Sequence, residues 1–157
     1  MRRYASGVVV LTVTSDSEVR GMTAVSFNSV SLEPPLVSMA VARTARTHGI
    51  LKKGQNFAIN ILGCNQRQLA ERFATSELSG QEQFEPIDYH EGPLGLPILE
   101  GCLGNLECRL HVQFEVGDHT IFIGQVERAE IGEHGLPLIF FEGNYGTLVQ
   151  AVGFQNR

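Results

Sequence analysis

The stretch from Gly21 to Thr47 carries the residue types best suited to binding a ligand. A buried strand would not need so many hydrogen-bonding side chains, and a plain loop would not need so many apolar ones. The pattern predicts a wall that is packed on one side and forms hydrogen bonds on the other. Small side chains in such a wall let a flat ligand approach backbone N–H groups. The polar members are Thr23, Ser26, Asn28, Ser29 and Ser31, and the apolar ones are Met22, Val25, Phe27, Val30 and Leu32.

The end of this stretch is suited to binding an anion. Ala45-Arg46-Thr47 offers a guanidinium, a hydroxyl and, if a helix begins there, unpaired backbone N–H groups. Arg43 is near enough in sequence to add a second positive charge. The same residues also describe a solvated arginine beside a helix-capping threonine, so the sequence leaves both interpretations open.

Composition limits the class of protein. The chain has 157 residues, a net charge of −5 and 43% apolar residues. We therefore expect a single domain over residues 1–157 with a substantial core, and no nucleic-acid partner. No apolar run approaches the ~20 residues of a membrane span, so no membrane partner is expected. Cys64, Cys102 and Cys108 lack metal-ligand spacing, and without an export signal they are typical of reduced thiols in a cytoplasmic protein without a metal site.

Apolar runs separated by turn residues predict a mainly β fold. Residues 106–116 alternate without a miss, which predicts a strand with one buried apolar face and one polar face. Short helices are predicted at about residues 44–53 and 65–74, the second capped by Asn65, and residues 75–101 are predicted to be irregular. We expect an antiparallel barrel, closed or nearly closed, with a sandwich as the alternative. The other predicted strands are 7–14, 19–27, 36–42, 57–62, 119–131, 136–142 and 145–149.

Motifs in a fixed order over nearly the whole chain resemble the short-chain flavin reductase family. These are FMN-binding split-barrel proteins that reduce flavin for two-component monooxygenases. The longest matching motif is Gly-Met-Thr-Ala-Val-Ser-Phe-Asn-Ser-Val-Ser-Leu-Glu-Pro-Pro-Leu-Val at 21–37. The resemblance implies an antiparallel split β-barrel with two or three short helices, and a homodimer with flavin near the interface. Family members usually carry a further helix before the first strand, and this sequence departs from that pattern. The other matching segments are 4–12, 45–48, 57–62, 69–74, 106–108, 117–120 and 137–145.

The resemblance also implies which residues bind the cofactors. Backbone N–H groups of residues 23–26 would serve the pyrimidine edge of the flavin, and Arg46 with Thr47 would hold its phosphate. His119 and Tyr145 would receive the nicotinamide. As ordinary alternatives, His119 is a turn histidine beside an aspartate, Tyr145 a barrel-end tyrosine and Arg72 an exposed helix arginine. The implied flavin-binding set is Met22, Thr23, Ala24, Val25, Ser26, Ser29, Ser31, Leu32, Ala45, Arg46, Thr47, Arg72 and Phe73.

The activity implied by the resemblance is that of an NAD(P)H:flavin oxidoreductase. It would pass a hydride from NADH or NADPH to FMN or FAD and supply reduced flavin to a partner monooxygenase. Because the cofactors carry out this transfer, no catalytic side chain is expected. No GxGxxG motif follows the first strand, so a Rossmann site for the nicotinamide is not expected. One alternative is a flavin-binding electron-transfer or redox module without nicotinamide oxidation. Another is a flavin-free barrel that serves as a binding domain.

Overall fold

The computed structural model describes residues 3–15, 18–53 and 56–148. Within them lie three α-helices: α1 (Arg46–Lys53), α2 (Arg67–Ala74) and α3 (Gly80–Phe84). One 3₁₀ turn, Cys64–Gln66, leads into α2. The strands are β1 (Ser6–Gly7), β2 (Val9–Thr14), β3 (Val19–Ala24), β4 (Asn28–Leu32), β5 (Pro35–Ala42), β6 (Asn56–Ile61), β7 (Tyr89–Glu91), β8 (Pro97–Leu99), β9 (Gly104–Val116), β10 (His119–Ile131), β11 (Ile139–Phe141) and β12 (Asn144–Gly146).

Seven strands form one antiparallel sheet in the order β3-β2-β6-β9-β10-β5-β4. In a flat sheet of this order, the edge strands β3 and β4 would lie about 29 Å apart, which is six spacings of about 4.8 Å. The chain from Ala24 to Asn28, which joins them, reaches about 14 Å at most. The sheet must therefore curl until its two edges approach each other. This confirms the predicted mainly β, antiparallel split barrel.

Two apolar clusters lie on opposite faces of β2. Leu11 and Val13 point into the barrel with Met39, Phe57 and Phe122. On the other face, Val10 packs with residues of α2 and α3, including Phe73 and Phe84. Because β2 is buried on both faces, its sequence is apolar almost throughout rather than alternating. The second cluster attaches the helices to the barrel.

Several predicted elements are confirmed and others are wrong. The β2–β3 hairpin, α1 and the bounds of β10 agree with prediction. Asn65 does not cap α2, because a 3₁₀ turn precedes it and Gln66 is at the cap. Residues 75–101 are not irregular throughout, since they contain α3, β7 and β8. The strand β4 was not predicted, and it pairs with β5 across Pro34 and Pro35. Residue 149, in the last predicted strand, lies outside the described residues.

The long strand β9 is confirmed, but the predicted burial of its two faces is wrong. Glu107, expected on the polar face, is only 3% exposed, and its carboxylate accepts the Leu94 N–H at 2.9 Å. Phe114 and Val116, expected to be buried, are 53% and 54% exposed. Strand β6 covers β9 only as far as Arg109, so the end of the β9–β10 hairpin has no neighbour on that side. No helix in the described part of the chain has the length and apolar character to cross a membrane.

The cysteines are reduced, as expected for free thiols. Cys102 and Cys108 are buried, and burial raises the pKa of Cys102 to about 11 and that of Cys108 to about 12. Cys64 is exposed, so burial of the thiols holds for two of the three. Within residues 3–15, 18–53 and 56–148, no group of three or more His, Cys, Asp or Glu side chains is placed to hold a metal ion.

Candidate functional site

A cleft of about 460 Å³ lies where β3, the start of α1, the end of α2 and α3 meet. Its volume falls in the range typical of small-molecule sites, roughly 300–1,000 Å³. Five of the predicted flavin-binding residues border it, although they come from three separate parts of the sequence. These are Met22 from β3, Ala45, Arg46 and Thr47 from the start of α1, and Phe73 from α2.

The start of α1 forms the polar end of this cleft. The Ala45 N–H donates to Ala42 O at 2.9 Å, which closes the turn that leads into the helix. Arg46 is exposed, and it has no ion-pair partner among the described residues. Thr47 is buried, and its hydroxyl contacts the Met22 sulfur at 3.2 Å. Arg46 and the unpaired N–H groups of the helix start are therefore the groups that can meet an anion here.

A buried histidine anchors α1 to the sheet. His48 Nε2 and the Thr120 hydroxyl share a hydrogen bond of 2.8 Å, and the His48 ring lies edge-on to Phe122. Burial, followed by the charges of Lys52 and Arg43, lowers the pKa of His48. The imidazole is therefore neutral at pH 7 and acts as a structural hydrogen-bonding group. It fixes the helix start, and with it Arg46 and Thr47, against β10.

The apolar wall of the cleft is formed by Phe73 and the backbone of β3. A Cβ atom on Gly21 would lie 2.3 Å from the Phe73 ring, so the ring packs directly on the glycine backbone. Thr23, the next polar residue of β3, donates its hydroxyl to Ala70 O at 2.6 Å. This hydroxyl therefore joins β3 to α2, and Ala24 packs against the barrel core.

Val25 and Ser26 border a different cavity, of about 640 Å³ and mostly apolar. Its other walls come from residues 4–9, 61–62 and 137–140. The Ser26 hydroxyl is already paired, since it donates to Ala40 O at 2.8 Å and accepts from Ala40 N at 3.2 Å. The remaining predicted residues lie on β4 and border neither cavity: Ser29 and Leu32 are exposed, and Ser31 is half-buried.

Arg72 contacts the backbone of α3. Its Nε donates to Gln83 O at 2.8 Å, and its Nη2 donates to Glu82 O. The guanidinium thus pairs with carbonyl groups at the end of a short helix, where positive charge is favourable. It borders a separate surface groove rather than the cleft. Its neighbour Phe73 faces the cleft.

The two residues predicted to bind nicotinamide lie in different sheets. His119 begins β10 and bonds to Asp118 Oδ1 at 2.7 Å, and this bond lowers the pKa of Asp118. The Arg43 N–H donates to Asp118 O at 2.9 Å, so His119 lies beside the turn into α1. Tyr145, on β12, packs edge-on to Phe140 with ring centroids 5.4 Å apart. Burial raises the pKa of Tyr145. Neither residue borders the cleft.

Four further cleft residues were not predicted from the sequence: Arg20, Thr75, Ser76 and Gln83. Arg20 is buried, with Nη2 donating to Leu78 O at 2.7 Å. Three of the four lie in or beside the segment predicted to be irregular. A signal was present, because Ser79 and Glu82 have capping-box spacing, and in the structure the Ser79 Oγ accepts the Glu82 N–H at 3.2 Å.

The fold and the cleft define a β-barrel protein with a small-molecule site between its sheet and its helices. The profile of the Flavin reductase like domain family matches residues 1–149. The chain therefore belongs to the flavin reductase-like domain family.

Three relatives illustrate the range of this similarity. The reductase component of 4-hydroxyphenylacetate 3-monooxygenase from Thermus thermophilus is 40% identical over 149 residues, which cover 95% of this chain and 93% of that protein. The structure of the NADH:FAD oxidoreductase SgcE6 of Streptomyces globisporus, in complex with NAD and FAD fragments, superposes with a TM-score of 0.90 at 37% identity, covering 96% and 90% of the chains. BorF, the flavin reductase component of a bacterial two-component tryptophan halogenase, gives a TM-score of 0.88 at 34% identity, covering 94% and 92%.

Proposed function

We propose that this chain is an NAD(P)H-dependent flavin reductase that forms a single domain over residues 1–157 and acts in the cytoplasm. It passes a hydride from a nicotinamide to FMN or FAD and supplies the reduced flavin to a partner monooxygenase. The observation that carries the proposal is the cleft itself. It gathers Met22, residues 45–47 and Phe73, which are far apart in sequence and are the residues the family resemblance assigns to flavin.

The residues present fit a flavin mononucleotide. Arg46 and the N–H groups at the start of α1 offer positive charge and donors to a phosphate. Phe73, Met22 and the bare backbone of Gly21 offer a flat apolar wall to a ring system. In an acidic chain this local placement of an exposed arginine is what makes a dianion favourable at the site.

The chain's part in the reaction is positioning. When bound, the flavin supplies the hydride acceptor for a dihydronicotinamide. The cleft residues hold the ring and the phosphate in a fixed orientation, and Thr47 and His48 hold the start of α1 in place. Such positioning lowers the barrier by removing orientational freedom before the reaction. No proton transfer by a side chain is needed.

NADH is the donor we propose, because relatives are named as NADH-dependent reductases of FAD and of FMN. His119 lies beside the turn into α1 and is the candidate within this chain to contact the nicotinamide. Tyr145 lies near Phe140 and Arg67, away from the cleft. A role for Tyr145 at the same site therefore depends on a second copy of the chain.

A homodimer is part of this proposal. Val112, Phe114 and Val116 continue the apolar alternation of β9 beyond the end of β6 and are exposed. We call these three residues the apolar strip. A strip that continues a core strand into solvent, at the end of a long hairpin, supports burial against a second copy.

The decisive experiment is turnover. Purified protein is mixed with NADH or NADPH and with FMN or FAD, and the loss of nicotinamide absorbance is followed. We expect oxidation of NADH that depends on added flavin. The second candidate, an electron-transfer module, is distinguished by tight flavin binding without nicotinamide oxidation. Absence of turnover with every pair of flavin and nicotinamide would rule out the proposed activity.

A further inference from the structure

Strand β3 is an edge strand of the seven-stranded sheet, and one side chain occupies its outer edge at Gly21. Gln83 Nε2 donates to Gly21 O at 3.2 Å, and Gln83 Oε1 accepts the Gly21 N–H at 3.2 Å. The side chain is 2% exposed. An edge strand otherwise leaves such N–H and C=O groups unpaired. The amide of Gln83 thus takes the place of a neighbouring strand at this single residue.

The helix that carries Gln83 is itself held firmly. Arg72 donates to the Gln83 carbonyl at 2.8 Å, and Arg20 donates to Leu78 O at 2.7 Å just before the helix. Gly80 lies so close to β3 that a Cβ atom there would be 1.9 Å from Val19 O. The amide of Gln83 is therefore presented from a fixed support, and a change in its hydrogen bonding is transmitted to Gly21 rather than absorbed by α3.

Gly21 is the point on which the apolar wall of the cleft depends. The Phe73 ring rests on it, and the next residue, Met22, receives the Thr47 hydroxyl at 3.2 Å. All four of these residues border the cleft, as does Gln83. We propose that Gln83 is a positioning residue for flavin binding, which fixes the Gly21 backbone so that Phe73 and Met22 form a wall matched to the flat ring. This inference rests on the proposed function.

The proposal separates two parts of the ligand. Gln83 acts on the wall that faces the ring, whereas Arg46 acts on the phosphate. Replacing Gln83 is therefore expected to weaken FMN and riboflavin, which lacks the phosphate, by the same factor. Replacing Arg46 is expected to weaken FMN alone. A residue with a purely structural role would lower the melting temperature and leave both affinities unchanged.

The experiment uses Gln83→Glu and Gln83→Met, each nearly equal in size to glutamine. The first loses the donor to Gly21 O, and the second loses both hydrogen bonds. Gln81→Glu and Gln81→Met are matched controls on the exposed side of the same helix. Dissociation constants for FMN and riboflavin are measured by fluorescence titration, with kcat for NADH oxidation and the melting temperature alongside. We expect both constants to rise about tenfold in both Gln83 variants, the loss of roughly one buried hydrogen bond. We expect kcat at saturating flavin to stay within about twofold.

The outcomes are separable. Equal weakening of both flavins, with the Gln81 variants unchanged, supports the proposal. Wild-type affinities in folded Gln83 variants, weakening of FMN alone, or loss of the folded state in both variants would each overturn it, the last by assigning Gln83 to stability. If the wild-type protein binds and reduces no flavin, the proposed function fails first. If it does both and the Gln83 variants match it, only this inference fails.

Discussion

The cleft and the free end of the β9–β10 hairpin treat their side chains in opposite ways. Around the cleft, polar side chains bond to backbone groups of other elements: Thr23 to Ala70 O, Arg72 to Gln83 O, and Gln83 to both backbone groups of Gly21. At the hairpin end, the apolar strip faces outward without a covering element among the described residues. The first region is complete in its internal contacts, whereas the second buries its apolar surface only if another surface meets it.

The difference teaches where sensitivity to substitution should lie. A cleft wall built from backbone approach and reciprocal hydrogen bonds leaves no room for added atoms, so small changes there should have large effects on binding. An exposed strip has room for any side chain, so changes there should alter association and leave the fold intact. The predictions below test this contrast.

The largest effect is expected for Gly21→Ala. Its new Cβ would meet the Phe73 ring at 2.3 Å, so the ring or β3 must move. Overpacking of this kind typically costs about 1–3 kcal/mol of stability. We expect FMN affinity to fall about a hundredfold, since both the wall and the neighbouring Met22–Thr47 contact shift. Calorimetric unfolding and flavin titration measure the two effects. Gly7→Ala, at a glycine with open space around it, is the control.

At the other region, Phe114→Glu should abolish self-association. A charge in the middle of the apolar strip costs about 2 kcal/mol or more at an interface hot spot, a weakening of roughly thirtyfold or greater. Analytical ultracentrifugation over a range of concentrations measures it, and the melting temperature of the monomer should change little. Ile131→Glu, at an exposed apolar residue at the far end of β10, is the control. A wild-type protein that remains monomeric throughout would contradict the homodimer.

A smaller effect is expected for Arg46→Met, because the guanidinium is exposed and its interactions are screened by solvent. FMN affinity should fall about tenfold, in line with the loss of a hydrogen bond to a charged group. Riboflavin affinity and the melting temperature should stay unchanged. Arg109→Met, at an exposed arginine paired with Glu127 on the hairpin, is the control. Equal weakening of riboflavin would place Arg46 at the ring instead of the phosphate.

The sequence alone predicts the strands well and the cleft only in part. Period-2 alternation and the Gly117-Asp118 turn are local, so β9, β10 and their hairpin could be predicted. Gln83 could not be found this way, because its role depends on Gly21, which lies 62 residues away in the chain. The exposure of Phe114 was likewise hidden, since alternation shows which residues share a face and not where the neighbouring strand ends. Arg46 and Thr47 were found because helix starts have their own sequence pattern.

The smallest effect concerns pH and links the two regions through α1. His48 is anchored on β10 beside the cleft, and Lys52, one turn later, forms an ion pair of 2.6 Å with Glu115 on the hairpin. The pKa of His48 is lowered by burial and by Lys52 and Arg43, against the opposing charge of Glu115. A histidine with a lowered pKa in the folded state binds its proton more readily when unfolded. As pH falls below the ordinary histidine value of about 6.5, the unfolded state gains protons first, so stability decreases.

Replacing this histidine should therefore flatten the acid side of the stability profile. We expect His48→Gln, which keeps a hydrogen-bonding group for Thr120, to lose less unfolding free energy than the wild type between neutral and mildly acidic pH. Urea titrations at several pH values measure the slopes. His111→Gln, at an exposed histidine on β9, should keep the wild-type slope. An unchanged slope in His48→Gln would mean that the imidazole at Thr120 accepts its proton as easily in the folded protein as in the unfolded chain, and the neutral anchor beside the cleft would then have to be abandoned.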